Sequence, residues 1–516
     1  MTAYRLDNCA DAPVIQTTSG KVRGRWQTGC SAAYLGIPFA AAPVGDRRFA
    51  APVRPAPWQG VRPAVEYGPT PQRRPFGPVT TVPEPCIPGD ETLNVNVFTP
   101  APRDHRAHLP VLVWIHGGGY FAGSPASPWY NGRAFNSRGV VTVTLSYRLG
   151  FDGFGWMEGA PLNRGLLDQI AALTWVQENI EAFGGDPHRV TIAGQSAGGG
   201  CVLALLASPK AAGLFHGAIS ESGAFGAPTA QQAETVGRAL AQQVGVKPEA
   251  AAWREVPESR ILDSERQVNS IAGIPAGFSK PEELLSALAE GFLGTSNLAF
   301  APVLDGEVLL QQTPQAVLAG QGAQVALLMG STRNEFTFSS PPEHSLPLQA
   351  AVCALQKAGL PAAAVSQFAD DIYRVGEDCV LGQLMTVYMF RIGIAHLAQC
   401  RCAAGCGGKT WLYDFAQLSS EKMGSFHCED IPYFFHLLDA PGVAQELGKA
   451  PSEPLADVMH SKWVEFITNG CLAEPTAAQF PCGAVRFEGS DSFQPDAYLL
   501  ESSLLTAAGQ TVENPS

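Results

Sequence analysis

Unbroken runs of apolar residues recur along this chain, and stretches with helical spacing lie between them. Val111–Ile115 (VLVWI) is enclosed by Pro110 and a glycine triplet, and Val140–Leu145 (VVTVTL) is rich in β-branched residues. Val190–Ala193 (VTIA), Val325–Met329 (VALLM) and Trp411–Phe415 (WLYDF) repeat the pattern. A strand covered on both faces has no polar side to alternate with, so these runs predict buried parallel strands. From Leu166, apolar residues at Ile170, Leu173, Val176 and Ile180 keep helical spacing until Gly184, Gly185 and Pro187 stop the helix. Parallel strands joined by helices predict an α/β architecture, a mostly parallel sheet flanked by helices, with its site at the carboxyl ends of the strands.

Val14–Phe39 reads instead as β hairpins with a turn at Ser19-Gly20, an N-terminal β extension of the same sheet protein. Two stretches read as insertions over the core: Pro69–Gly89, which is proline-rich, and Gln231–Ala299, mostly helical and polar-faced, which is expected to form a cap beside the pocket. No repeat or linker divides the chain, so residues 1–516 are expected to form one domain.

Composition narrows the function classes. Of 516 residues 46% are hydrophobic and 16% charged, enough apolar material for a large core. Forty-seven acidic residues against 34 basic ones give a formal charge of −13, which argues against nucleic acid and anionic membrane as partners, since both need clustered Lys and Arg. No stretch approaches about 18 uninterrupted apolar residues, so no spanning helix is expected. Met1–Pro13 carries Asp7 and Asp11 and lacks the apolar segment of an export signal. Twelve cysteines scattered through such a chain then point to reduced thiols in a cytoplasm. Cys400, Cys402 and Cys406 lack the paired spacing of a metal framework and read as free thiols.

The chemistry is concentrated in a few loops. Gly194-Gln195-Ser196-Ala197-Gly198 follows the VTIA strand and precedes a small-residue helix, the context in which G-x-S-x-G presents a nucleophilic serine on a tight turn. His116-Gly117-Gly118-Gly119 follows the VLVWI strand, where glycines let main-chain N–H groups approach an oxyanion. Gly118, Gly119 and Ala197 are the expected donors. A general base and an orienting carboxylate must follow the serine. Of His344, His396, His427, His436 and His460, the second and last lie in helical apolar patterns, and His436 follows an aromatic run. His344 sits in a proline-rich loop, whereas His427 lies in a loop after the WLYDF strand and is favoured. Glu335, beyond the VALLM strand, is favoured as the acid over Asp305, which precedes a glycine and reads as a turn residue.

With these residues in view the chain resembles the type B carboxylesterases, the family of the cholinesterases and bacterial para-nitrobenzyl esterases, with the α/β-hydrolase fold. The resemblance runs from about Pro13 to Gly470 and includes YLGIPFAAAPVGDRRF, GDETLNVNVFTP, VWIHGGGYFAGS, TIAGQSAGGG, PVLDGEV, GSTRNEFTF and FHCEDIPYFF. It implies a Ser196–His427–Glu335 triad, an oxyanion hole of Gly118, Gly119 and Ala197, and structural ion pairs Arg48–Asp90 and Arg148–Asp168. It also implies a buried Ser222 beside the triad. The implied substrate is a small-molecule ester, with no metal or organic cofactor; oligomeric state is left open.

Departures from the family pattern matter. Gln195 stands where many members carry Glu, so cationic substrates should bind less well. Thr92 occupies the position of a disulfide cysteine in secreted relatives. No Trp occurs between Trp58 and Trp114, so an aromatic cage for quaternary ammonium is not expected, nor are choline esters as substrates. The same triad also serves carbamate or amide hydrolysis and acyl transfer, and the same fold serves non-catalytic adhesion proteins, which typically lack the nucleophile. Activity is expected to fall as pH drops through about 6.5, because the base must be neutral.

Overall fold

Thirteen strands form a single sheet in the computed structural model, which describes residues 11–75, 80–223, 225–265, 267–268, 286–287, 298–337, 345–418, 423–510 and 512. The five strands read from the sequence are all present. They are β6 (Leu109–Ile115), β7 (Val141–Leu145), β8 (Gly185–Gln195), β10 (Ala326–Thr332) and β11 (Thr410–Phe415). With β9 (Gly217–Glu221) and β12 (Ala484–Glu488) they make the parallel centre, in the order β7-β6-β8-β9-β10-β11-β12. The N-terminal strands β1 (Asp11–Gln16), β2 (Lys21–Thr28) and β3 (Ser31–Pro38) join this sheet antiparallel through β5 (Asn94–Thr99). Short β4 (Val61–Pro63) lies beside β2, and β13 (Ser490–Gln494) closes the far edge.

The unbroken apolar runs have the expected cause. Val111, Val113 and Ile115 of β6 enter one hydrophobic cluster, while Leu112 and Trp114 enter another on the opposite face; Leu327 and Met329 against Leu328 divide β10 the same way. Helix α1 (Arg164–Asn179) buries Leu166, Leu173 and Val176, and Gly184 at φ 84° ends the following short turn. The described part of the expected cap is helical and docked. Ala230–Val244 starts with a Thr229–Gln232 capping box, and Val236, Leu240, Trp253 and Ile261 are in the core. The remainder of that insertion lies mostly outside the described residues. Pro69–Gly89 has no regular element among its described residues but is anchored by buried Arg73, which donates to Gly123 O at 2.9 Å and pairs with Glu84.

One helix escapes the reading of apolar runs, and one expected ion pair is corrected. Glu377–Ala403 is one continuous helical stretch of 27 residues, long and apolar enough by composition to cross a membrane. However, 83% of its apolar window is buried inside the protein, where it serves as a core helix. Uninterrupted runs do not reveal it, because Gln383, Thr386 and Arg391 punctuate it and find internal partners. Arg48 pairs with Asp152 in the first turn of Gly150–Phe154, not with Asp90, and its other arm donates to Val256 O at 2.8 Å. Arg148–Asp168 is formed as expected, bidentate at 2.7 and 2.8 Å and fully buried.

Candidate active site

The carboxyl ends of β6, β8, β9, β10 and β11 lie side by side in register, Ile115 opposite Gly194, Gln195 opposite Glu221, and Thr332 opposite Phe415. The loops that follow these ends therefore meet at one rim. Ser196 stands at the junction of β8 and α2 (Ala197–Ala207) with φ 58° and ψ −124°. Such a conformation costs a non-glycine residue about 1–3 kcal/mol. Surrounding contacts hold it: Ser196 N donates to Glu221 O at 2.8 Å, and Ser196 O accepts from Gly200 N at 2.8 Å. The motif's second glycine has a steric reason, since a Cβ on Gly198 would lie 2.1 Å from Ile115 O.

His427 and Glu335 complete a row. His427 Nε2 is 2.9 Å from Ser196 Oγ, and Nδ1 hydrogen-bonds Glu335 Oε2. Glu335 is fully buried; its Oε1 accepts from Thr332 N at 3.0 Å and its main-chain O from His427 N at 3.1 Å. The acid-bearing and histidine-bearing loops are stitched together by Asn334, whose N donates to Ser425 O at 3.1 Å and whose Oδ1 accepts from Ser425 N at 3.2 Å. Phe336 and Phe390 lie against the imidazole, with ring centroids 4.9 and 5.1 Å away. Phe390 comes from a π-helical turn, Val387–Arg391, a local irregularity that often marks functional sites.

The glycine loop borders the same serine, since a Cβ on Gly117 would sit 3.1 Å from Ser196 Cβ. Gly118 and Gly119 take φ 115° and 59°, values that exclude most side chains. Among the described residues, no acceptor takes a hydrogen bond from the N–H of Gly118, Gly119 or Ala197. Three amide donors without internal acceptors beside a hydroxyl can hold an oxyanion, and Ala197 adds the positive end of α2. His116 supports the loop from behind: burial pushes its pKa down to about 4, and the neutral ring stacks on Tyr147 at 4.6 Å.

Other sequence candidates fall elsewhere. Asp305 Oδ1 accepts three main-chain N–H groups, from Glu307, Val308 and Leu309, and its Oδ2 accepts from Asn163; it builds a turn. His396 and His460 are buried, the latter bonded to Phe434 O at 2.8 Å. His436 pairs with Asp457, and His344 lies outside the described residues. Ser222 is buried at φ 48° just beyond β9. Cys400 and Cys402 lie on Ile392–Ala403, and burial raises both thiols, Cys400 to about 12.

Burial disfavours protonation of His427, but Cys428, wherever its sulphur is a thiolate, and the Glu335 carboxylate oppose this, and the pKa is raised well above 6.5. The imidazole is therefore neutral only at higher pH than the sequence suggests. Behind it lie two more buried carboxyls. Burial, then the neighbouring Glu335, raises Asp430 to about 7; burial, then Asp430, raises Glu221 well above its ordinary value. Trp463 Nε1 donates to Glu221 and Tyr413 Oη to Asp430.

Residues 11–353 match the carboxylesterase family. The chain is 32% identical over 475 residues to the para-nitrobenzyl esterase of Bacillus subtilis (strain 168), covering 89% of this chain and 90% of that protein. It is 30% identical over 512 residues to the fumonisin B1 esterase of Sphingopyxis macrogoltabida, covering 92% and 84%. Among solved structures, a carboxylesterase of Geobacillus stearothermophilus superposes with a TM-score of 0.77 at 29% identity, over 96% of this chain and 100% of that one.

Proposed function

Because this chain belongs to the carboxylesterase family and is a carboxylic ester hydrolase, we propose that it cleaves uncharged aryl or alkyl esters through an acyl-enzyme on Ser196. The observation that carries this reading is the unbroken row from Ser196 Oγ through His427 to Glu335, set beside amides without internal acceptors. The neutral Nε2 accepts the serine proton as Oγ attacks the ester carbonyl. The N–H groups of Gly118, Gly119 and Ala197 receive the developing oxyanion, while Glu335 keeps Nδ1 protonated and the ring oriented. The imidazolium then returns its proton to the departing alcohol, and water repeats the sequence to free the acid.

Gln195 puts a neutral amide beside the nucleophile, and Phe336 and Phe390 give the site apolar walls; both favour uncharged esters. The exposed thiols Cys30, Cys86 and Cys471 support a reducing, cytoplasmic setting, and residues 1–516 are read as one domain.

A panel of p-nitrophenyl esters of graded acyl length, with a carbamate, an anilide and an acylcholine, tests the proposal. Neutral esters should give the highest kcat/KM, with a burst of about one phenolate per chain when deacylation is slower than acylation. The acid limb of kcat/KM should lie above pH 6.5, since the base must be neutral. A preference for the acylcholine or the anilide would overturn the substrate class.

A further inference from the structure

The residue after the candidate base is Cys428, held at φ 74°, a conformation that suits glycine better than cysteine. Its Sγ lies 3.3 Å from Gln195 Oε1, and the same amide's Nε2 lies 3.3 Å from His427 Nε2. Gln195 is 2% exposed, so its amide has no bulk water to turn towards. The sulphur, the amide and the imidazole thus form a second row that meets the first at His427 Nε2.

We propose that Cys428 is a positioning residue, whose S–H donates to Gln195 Oε1 and so holds the amide's NH2 end against the Nε2 lone pair of the base. The proposal rests on the esterase reading above and deepens it. In this orientation Gln195 shares that lone pair with the Ser196 hydroxyl and favours the neutral imidazole. The opposite orientation would place Oε1 against Nε2 and favour the imidazolium by accepting its N–H. Among the described residues the amide's partners are His427 and Cys428, and a donor at position 428 discriminates between its two ends. Burial raises the Cys428 pKa, which keeps the sulphur a donor at neutral pH; the Glu335 carboxylate then carries the charge that raises the base. The titratable groups facing the pair are Glu335 on the loop after β10, Asp430 and Glu221 behind it, and Tyr130 beside the thiol.

The test is the pH profile of kcat/KM for p-nitrophenyl acetate. Cys428→Gly removes the thiol at a backbone position that glycine accepts, so folding is not put at risk. The acid limb should move up by about 0.4–1 pH unit, the equivalent of one neutral hydrogen bond. Cys428→Ser restores a donor and should return the limb to its original position. In a Gln195→Met background, Cys428→Gly should move nothing. An unmoved limb in Cys428→Gly would overturn the proposal, as would a shift that persists without Gln195. A downward shift would overturn it too, by showing that the sulphur acts as an anion beside the imidazolium. Loss of the esterase reading itself would look different, because Ser196→Ala would then stay active.

Discussion

Ser196→Ala should lower kcat/KM for p-nitrophenyl esters by at least about four orders of magnitude and leave the fold intact. The two halves of this result have separate causes. Activity goes because the Oγ that His427 Nε2 faces at 2.9 Å is the only atom removed. Stability stays because alanine keeps the Cβ, and the φ of 58° is held by main-chain bonds to Glu221 O and Gly200 N. Steady-state kinetics with an unfolding scan on the same preparation checks both. Activity retained within tenfold would remove Ser196 from the mechanism.

Asp414→Ala should be among the most destabilising single changes in the protein. Asp414, at the carboxyl end of β11, is fully buried and accepts from Arg333 at 2.8 Å, Arg391 at 2.8 Å and Arg486 at 2.9 Å. Arg333 is also paired to Asp371 and Arg391 to Glu501, both at 2.6 Å, so three guanidinium groups are balanced by three carboxylates. Removing the central acid leaves three guanidinium groups facing two carboxylates, so one positive charge at the buried cluster is uncompensated. Breaking a buried pair from one side costs about 3–5 kcal/mol. Urea unfolding should show a clear drop in midpoint, and an unchanged midpoint would contradict the network's role. Burial alone would raise the Asp414 pKa, but the three arginines hold it well below the ordinary carboxylate range. Its contribution is therefore present at every pH above the unfolded carboxylate value and is lost only in strong acid. Activity should fall with stability, since Arg333 begins the loop that carries Glu335.

How far these features could be read in advance depends on the kind of signal each leaves. Ser196, Glu335 and His427 were legible because each lies in a loop just after an apolar run, and the parallel sheet brings those loops together. β5 was not, because Asn94 and Asn96 interrupt its pattern. Within the fold Asn96 bonds Thr144 and Gly36, and Asn94 bonds Pro69 O, so the strand is buried despite its polar residues. β9 reads GAISE, too short and mixed to stand out, and the partner of its Glu221 Oε1 is a tryptophan more than two hundred positions away. The Asp414 network, the Phe390 ring on His427 and the Gln195–Cys428 contact share that property. Their partners come from distant segments and follow no period. Gln195 did stand out in the sequence, as a neutral residue where a carboxylate is common, but the cysteine facing it did not.

The most direct test of the central claim is covalent labelling by diethyl p-nitrophenyl phosphate, followed by peptide mapping. One diethylphosphoryl group per chain is expected on Ser196, with activity lost in proportion. Incorporation at any other residue, or full activity after stoichiometric labelling, would contradict it.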